Sequence, residues 1–586
     1  MKKLAVLLCM VLLAALGLTG CAPSEVQNPK DLGKNFNKIN EANMDKVVTE
    51  SSFVVDEKVP ERNQFEPMSL ITDGMILQRN AVTHLYGDAN FDGPCAAMIN
   101  GKTFYGLSEN SRFDIYLAPM EAGGPYTLVL YSKQGKTTIS DVLIGEVILC
   151  SGQSNMEWTV GNSIELGDQG LHGPDQMALA GGRYIPDPVR DPDTYSDWVS
   201  DSAEREEMIK NLYKTETQNY RNDKLRLFKV QITTPIIENA DVYRGIAQTP
   251  QIDFIGSWKK AGPESISEFS AVGFFFGRKL CEQTNIPVGL VMSAVGATYA
   301  STWVPRETYE EATDFFCYVG TDANDPWNLP SRCYNLYIAP LSGYTFHSFL
   351  WLQGEGQVTR YKESLVALIQ SWRDGFQQPN LGCVIVGFPM SGYYGHIPDG
   401  YAENSKVTDP VYVDLHYSVR EQQQAAAAEL ENVTWSVNLS NGDYDEIHQW
   451  DKLPVGENTC DKFMEYFYQT PGVLSGPVVA GWQLNGAAVE ITFTGIGSGL
   501  LLINDGRNFE LADASAPDEF YPAKAELIAP DQVRVTCDKV QNACSVRYGC
   551  LAYPRLTRTE VKKYFSLFNK EGYSADQFFI DLTKTV

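Results

Sequence analysis

Four short segments of the sequence carry polar side chains suited to acyl transfer, and each follows an apolar run. In open α/β folds the carboxyl ends of parallel strands lie together and bind the ligand. We therefore expect the four segments to form one site: residues 150–156 around Ser154, 293–298 around Gly296, 353–357 from Gln353 to Gln357, and 443–448 ending at His448.

Ser154, His448 and Asp445 are the predicted catalytic triad. A serine hydroxyl becomes an effective nucleophile when a base takes its proton, and His448 is the candidate base. A carboxylate at Asp445 can reach the other imidazole nitrogen and hold the ring in the required tautomer. Of the six histidines, only His448 has an acid three residues before it. Ser151 remains the alternative nucleophile and Asp443 the alternative orienting acid.

The negative charge that develops on the acyl oxygen requires hydrogen-bond donors directed at it. The backbone N–H groups of Ser154 and Gly296 are the first predicted donors, because glycine lets the backbone approach closely. A glutamine amide from the third segment, either Gln353 or Gln357, would supply another. Such a site supplies its own base and its own electrophile, so no metal or cofactor is predicted.

The elements that must position these residues form an α/β unit over residues 142–470, between β regions over 66–141 and 471–586. Short apolar runs separated by Gly, Asn and Asp turns are typical of β-sandwiches and predict the two flanking regions. Residues 162–223 form an irregular insertion that we interpret as a lid or rim of the site. Within the unit, strand-like apolar runs alternate with helical segments, which indicates a mainly parallel sheet. The predicted helices span 269–282, 362–372 and 419–430. The predicted strands span 147–149, 288–292, 346–352, 383–388 and 433–438.

Residues 1–20 have the pattern of a secretory signal peptide, in which Lys2 and Lys3 precede an apolar run over 4–18. The sequence Leu-Thr-Gly-Cys at 18–21 resembles the bacterial lipobox, in which Cys21 would be lipidated and become the new N-terminus. Residues 21–65 are then interpreted as the lipidated cysteine and a polar tether. We expect an exported protein that is anchored by lipid to the bacterial cell membrane, on its extracytoplasmic side.

The formal net charge is −26. Phosphate binding needs clustered Lys and Arg, so nucleic acid is excluded as a class of partner.

Export permits disulfides, and one expectation is a bridge between Cys537 and Cys544, which flank a short polar loop between two strand-like runs. Cys150 and Cys383 lie inside apolar runs and are expected to be buried thiols.

Residues 145–158 resemble the nucleophile block of the sialate O-acetylesterases, which belong to the SGNH hydrolase superfamily. The resemblance implies an SGNH-type doubly wound, mainly parallel sheet, flanked by N-terminal and C-terminal β-sandwich-like regions. It also implies a triad of Ser154, His448 and Asp445. Further matches extend over most of the chain: residues 73–79, 269–278, Gly296 with Trp303, 351–355, 445–448 and 567–572.

The third block departs from the family pattern. The family usually continues it as Gln-Gly-Glu-Ser-Asn, whereas this chain has Gly-Gln at 356–357. Gln353 matches without substitution, so the resemblance favours Gln353 as the side-chain oxyanion donor. Glu355 and Arg420 both fall on family positions, and an ion pair between them is a hypothesis. The residues expected to support the catalytic groups are Gln153, Glu355, Gln357 and Arg420.

The function implied is removal of O-acetyl groups from sialic acid or related acetylated sugars, through an acetyl-enzyme intermediate. The alternative is deacetylation of acetylxylan or another polysaccharide, because the same triad serves either sugar. A third hypothesis, a non-catalytic carbohydrate-binding surface lipoprotein, would be favoured by loss of a triad residue, and all three are present. The expected partners are an acetylated glycan and, through the lipid, the membrane.

Overall fold

The computed structural model describes residues 41–164, 211, 213–231, 249–316, 319, 328–357, 359–390, 415–442, 448–449, 451–472, 474–550 and 565–584. Its strands are β1 Phe65–Pro67, β2 Ile76–Gln78, β3 Thr83–Ala89, β4 Gly93–Ile99, β5 Lys102–Glu109, β6 Arg112–Leu117, β7 Gly123–Tyr131, β8 Lys136–Gly152, β9 Asn222–Lys229, β10 Lys259–Ala261, β11 Val288–Ala294, β12 Ser348–Leu352, β13 Gly382–Val386, β14 Val433–Ser436, β15 Val478–Asn485, β16 Ala488–Thr494, β17 Leu500–Leu502, β18 Phe509–Asp513, β19 Ala516–Ala529, β20 Gln532–Thr536, β21 Ala543–Tyr548, β22 Leu567–Asn569 and β23 Phe578–Asp581.

The α-helices are α1 Ser154–Glu157, α2 Val160–Ile164, α3 Pro263–Ser267, α4 Ala271–Thr284, α5 Arg306–Glu311, α6 Tyr361–Gly375, α7 Leu415–Glu429 and α8 Leu453–Tyr468. Short 3₁₀ turns span Glu41–Lys46, Ala300–Trp303, Ala339–Leu341, Leu439–Asn441 and Asn504–Gly506, and a π turn spans Tyr334–Ile338. No helix in this described part of the chain is both long and apolar enough to cross a bilayer.

The central sheet has the order β10-β9-β11-β8-β12-β13-β14. All of its neighbouring strands are parallel except the edge strand β10. This confirms the mixed α/β architecture and the mainly parallel sheet predicted from the alternation of helices and strands. The site-bearing loops follow β8, β11 and β12. These three strands are neighbours in the sheet, so the three loops lie at the same edge.

Helices cover both faces of this sheet. Alternate residues of a strand point to opposite faces, so two neighbouring residues show what packs on each. The Phe349 ring lies 4.8 Å from that of Trp372 in α6. Ser348, the preceding residue, faces α8: a Cβ built on its neighbour Gly382 would lie 2.9 Å from both Ser348 Cβ and Phe467 Cζ. Helices α6 and α8 therefore pack on opposite faces, as in a doubly wound fold.

Strand β8 is 17 residues long and belongs to two sheets. Its first part pairs antiparallel with β7 in the N-terminal sheet, whose order is β1-β3-β6-β5-β4-β7-β8. From Glu146 onward it pairs with β11, and from Ile148 with β12. One continuous strand thus runs from the N-terminal β region to the loop that carries Ser154.

A buried ion pair lies where β8 passes between the two sheets. Arg79 Nε lies 2.6 Å from Glu146 Oε1, and both side chains are almost fully buried. Glu146 also accepts from Gln78 Nε2 at 2.8 Å and from the Tyr468 hydroxyl at 2.7 Å. Since Gln78 ends β2 and Tyr468 ends α8, this cluster joins the N-terminal β region to the α/β unit.

Helix α8 was not predicted from the sequence. Pro454 and Gly456 stand in its first turn, and both residue types ordinarily argue against a helix. Proline is nevertheless tolerated at the first positions of a helix. Gly456 allows close packing on α4, because a Cβ there would lie 2.6 Å from the Val272 carbonyl oxygen. The insertion predicted over 162–223 lies mostly outside the described residues, although 213–218 are helical and Tyr213 is fully buried.

The C-terminal region forms an antiparallel sheet of order β15-β16-β20-β19-β18-β21-β23, beside a small sheet of β17 and β22. The expected Cys537–Cys544 disulfide is wrong, because both thiols are free. Cys544 Sγ instead lies 3.5 Å from the Ala512 carbonyl oxygen. Cys150 and Cys383 are buried free thiols, as predicted.

Candidate active site

Ser154 is the first residue of helix α1, and only Gln153 separates it from Gly152, the last residue of β8. The turn depends on Gly152, whose φ is +141° and whose Cβ position would lie 2.1 Å from the Leu352 carbonyl oxygen. Gln153 N donates to that same oxygen at 3.0 Å. The nucleophile loop therefore sits against the end of β12, and the Ser154 N–H, at a helix N-terminus, has no acceptor within the helix.

His448 lies beside Ser154 although 294 residues separate them in the chain. The distance from His448 Nε2 to Ser154 Oγ is 2.8 Å, which is suited to proton transfer. The Trp158 ring stacks against the imidazole with centroids 5.6 Å apart and planes at 16°. Asp445 and the alternative acid Asp443 lie outside the described residues, so their positions relative to His448 stay predictions.

Ser151, the alternative nucleophile, is inside β8 and fully buried. Its hydroxyl has no hydrogen-bond partner among the residues that the structure describes. Ser154, in contrast, is partly exposed and adjoins His448. The geometry therefore favours Ser154 over Ser151 as the group that meets a substrate.

The second loop places Gly296 next to the nucleophile. A Cβ built on Gly296 would lie 3.4 Å from Ser154 Cβ, so a larger residue would crowd the site. The Gly296 N–H, a predicted oxyanion donor, donates to Glu157 Oε2 at 2.7 Å. Burial of this carboxylate against the loop raises the pKa of Glu157, although the Gly296 N–H and the Lys229 charge act in the opposite direction. A substrate oxygen at Gly296 would have to displace Glu157.

Gln353 links the second and third loops. Its Nε2 donates to the Thr298 carbonyl oxygen at 2.9 Å and to Gln357 Oε1 at 2.5 Å, which uses both amide hydrogens. Its Oε1 accepts from the Tyr361 hydroxyl at 2.8 Å. Gln357 Oε1 also accepts from Ala300 N at 2.8 Å. For Gln353 to donate to an oxyanion, as predicted, one of these hydrogen bonds must be exchanged on substrate binding.

The other supporting residues occupy distinct places. Gln153 Oε1 accepts from Gly354 N at 3.3 Å, which ties the first loop to the third. The hypothesised Glu355–Arg420 ion pair is not formed: Glu355 Oε1 accepts from Asn155 at 2.6 Å, while Glu355 Oε2 is buried and has no partner within the described part of the chain. Arg420 Nε instead donates to Gln577 Oε1 at 2.6 Å, toward the C-terminal region.

Three residues near the site were missed by the sequence analysis. Trp158 stacks on His448, Asn155 binds Glu355, and Lys452 donates to Asn155 Oδ1. The available signals were their positions in the chain: Asn155 and Trp158 come one and four residues after Ser154, and Lys452 comes four residues after His448. The orientation of these side chains depends on tertiary packing, which sequence spacing does not reveal.

Among the residues that the structure describes, no group of three or more His, Cys, Asp or Glu side chains is placed to hold a metal ion. The arrangement is a hydroxyl–imidazole pair at the carboxyl edge of a parallel sheet, beside the loop that carries Gly296. Such a pair can perform nucleophilic acyl transfer.

A family model described as carbohydrate esterase, sialic acid-specific acetylesterase, matches residues 247–434. That span includes the second and third loops but neither Ser154 nor His448. The chain is 25% identical to human sialate O-acetylesterase over 295 residues, which cover 47% of this chain and 45% of the human protein. It is 24% identical to the mouse sialate O-acetylesterase over 316 residues, covering 47% and 48%. The chain thus spans about half the length of these relatives.

A carbohydrate acetylesterase from Xanthomonas citri has a similar solved structure, with a TM-score of 0.64 and 24% identity. The likeness covers 88% of this chain and 99% of that chain. The likeness concerns the fold.

Proposed function

We propose that this chain is a serine esterase of the sialate O-acetylesterase kind, which removes O-acetyl groups from a sugar. The observation that carries the proposal is the 2.8 Å contact between His448 Nε2 and Ser154 Oγ. The order of strands and the position of Ser154 after β8 support assignment of the central unit to the SGNH hydrolase fold. The acetylated sugar is then the substrate, and no cofactor takes part.

In the proposed reaction, Ser154 Oγ attacks the acetyl carbonyl carbon while His448 Nε2 takes the hydroxyl proton. The tetrahedral intermediate collapses when the sugar oxygen leaves with the proton held on His448. Water, deprotonated by the same imidazole, then attacks the acetyl-enzyme, and acetate and free Ser154 are formed. Asp445 would orient His448 through Nδ1 and stabilise the imidazolium.

The oxyanion would be stabilised by hydrogen bonds that are directed at it before the reaction begins. Ser154 N–H is the donor that the structure supports best, because it begins a helix. Gly296 N–H becomes the second donor when Glu157 moves away. Gln353 would contribute the third if it exchanges its hydrogen bond to Thr298 or Gln357 for one to the substrate.

Sialic acid is the sugar that the animal relatives' names indicate, and acetylated xylan is the alternative. Acetate release from a panel of O-acetylated sialosides and acetylated xylo-oligosaccharides would separate them. Ser154→Ala should lower turnover by more than about 10⁴-fold, since triad residues act as a unit. The matched control is Ser151→Ala, which removes a buried, unpaired hydroxyl and should leave turnover unchanged.

Equal turnover by the wild type and Ser154→Ala would refute Ser154 as the nucleophile. No acetate release from any member of the panel by the wild type would favour the non-catalytic carbohydrate-binding alternative. We also propose that Cys21 carries a lipid that holds the enzyme on the outer side of the cell membrane, where acetylated glycans are accessible.

A further inference from the structure

A buried array of one amide and two charged groups lies directly behind Ser154. The Asn155 amide nitrogen donates to Glu355 Oε1 at 2.6 Å, and its carbonyl oxygen accepts from Lys452 Nζ. The exposed fractions of Asn155, Glu355 and Lys452 are 1%, 2% and 0%. The carboxylate and the ammonium are thus held in the interior with a neutral amide between them.

The three residues come from three different loops of the site. Asn155 follows the nucleophile, Glu355 belongs to the third loop, and Lys452 lies four residues after His448. Hydrogen bonds to charged groups are about twice as strong as neutral ones, and a bridging amide is polarised by both partners. The array therefore holds the nucleophile loop and the His448 loop together from behind.

The array also places charges of both signs near the imidazole. Lys452 Nζ lies 5.8 Å from the centroid of the Trp158 ring, and Trp158 stacks on His448. Burial raises the pKa of Glu355, while its hydrogen bond from Asn155 and the positive charges of His448 and Lys452 oppose this rise. Glu355 is linked to His448 through Asn155, which it binds at 2.6 Å, and through the preceding residue Ser154, whose Oγ lies 2.8 Å from His448 Nε2.

We propose that Glu355 and Lys452 are positioning residues that balance the charge on His448 during turnover, with Asn155 as the bridge between them. The inference rests on the proposed serine-esterase function. When His448 takes the Ser154 proton it becomes a cation, which the Glu355 carboxylate favours and the Lys452 ammonium opposes.

Three other acids remain unchanged in the test, and one of them, Asp451, precedes Lys452 and accepts from the Tyr213 hydroxyl at 2.9 Å. Glu157 binds the Gly296 N–H on the second loop, and Asp445 is the predicted partner of His448 outside the described residues. Their effect is therefore common to all variants compared. What differs between variants is the charge at position 355 or 452.

The test is the pH dependence of kcat/KM with p-nitrophenyl acetate for the wild type, Glu355→Gln and Lys452→Met. Glu355→Gln should move the acidic midpoint to lower pH, because the imidazolium loses a favourable charge. Lys452→Met should move it to higher pH. Each shift should be at least about half a pH unit, because both charges are buried and therefore weakly screened by solvent. The double variant should return to within half a unit of the wild type.

Midpoints that stay fixed, or move in the same direction, in folded single variants would overturn the inference. If Glu355→Gln does not fold, Glu355→Asp replaces it, and if Lys452→Met does not fold, Lys452→Arg replaces it. Both replacements keep the charge. Those variants should lower kcat at an unchanged midpoint, and a shifted midpoint would count against the proposal. A wild type without esterase activity would refute the serine-esterase function itself, a result distinct from unshifted midpoints in an active enzyme.

Discussion

Glu146→Gln should destabilise the α/β unit by about 3–5 kcal/mol, because it removes the buried carboxylate that pairs with the Arg79 guanidinium. Arg79 is 3% exposed and Glu146 1%. A glutamine keeps one acceptor for Tyr468, but its NH₂ group then faces donors from Arg79 or Gln78. The expected decrease in the free energy of unfolding therefore exceeds the contribution of a single neutral hydrogen bond, which is about 1 kcal/mol.

The pKa of Glu146 gives a second route to this magnitude. Burial alone would raise the pKa of Glu146, yet the Arg79 charge and the hydrogen bonds from Gln78 and Tyr468 lower it from 4.5 to about 2. At 1.36 kcal/mol per pH unit this corresponds to about 3 kcal/mol. Because the folded-state pKa is depressed, this stability is fully present above pH 4.5 and is lost as the pH falls toward 2.

The assay is urea unfolding at pH 7 and at pH 4, followed by the fluorescence of the buried tryptophans Trp303, Trp351 and Trp372. The difference between wild type and Glu146→Gln should be smaller at pH 4. Glu268→Gln is the matched control, because it breaks the exposed ion pair with Lys259 and should cost less than about 1 kcal/mol. Equal effects of the two substitutions at pH 7 would refute the reasoning.

The remaining predictions concern the oxyanion donors and the anchor. Glu157→Gln should raise kcat/KM for an acetate ester severalfold, because a neutral acceptor competes less well for the Gly296 N–H; a decrease would indicate that the carboxylate anchors the loop instead. Gln353→Ala should lower kcat roughly 10²–10³-fold with little change in KM, and an unchanged kcat beside an impaired Gln357→Ala would transfer the donor role to Gln357. Cys21→Ser should move the protein from the membrane fraction to the soluble fraction on cell fractionation, because the lipid is lost, whereas retention in the membrane would contradict lipidation.

The central sheet was predictable because its strands are buried on both faces and appear as continuous apolar runs. The predicted strand over 288–292 is observed as Val288–Ala294, and the predicted helix over 362–372 as Tyr361–Gly375. Helix α8 escaped prediction because Pro454 and Gly456 suit its start and its close packing on α4. Local propensity alone reports such residues as helix breakers.

The approach of Ser154 and His448 was predictable from residue type and from the resemblance to known esterases. The partners of Gly296, Gln353 and Glu355 were not, because a polar side chain between packed loops has several acceptors within reach. Which acceptor it binds depends on distances of a few tenths of an ångström. The expected Cys537–Cys544 bridge failed for a related reason, since neighbouring positions in the chain do not fix the direction of the thiols.

The sharing of β8 between two sheets has a consequence for cooperativity. Amide protons along this strand are hydrogen-bonded on the N-terminal side to β7 and further along to β11 and β12. Opening either sheet therefore exposes part of the strand that leads to the Ser154 loop. The N-terminal β region and the α/β unit should then exchange their protected amides with deuterium at one common slow rate, as a single foldon. A graft of the α/β unit alone would separate Ser154 from half of the strand that supports it.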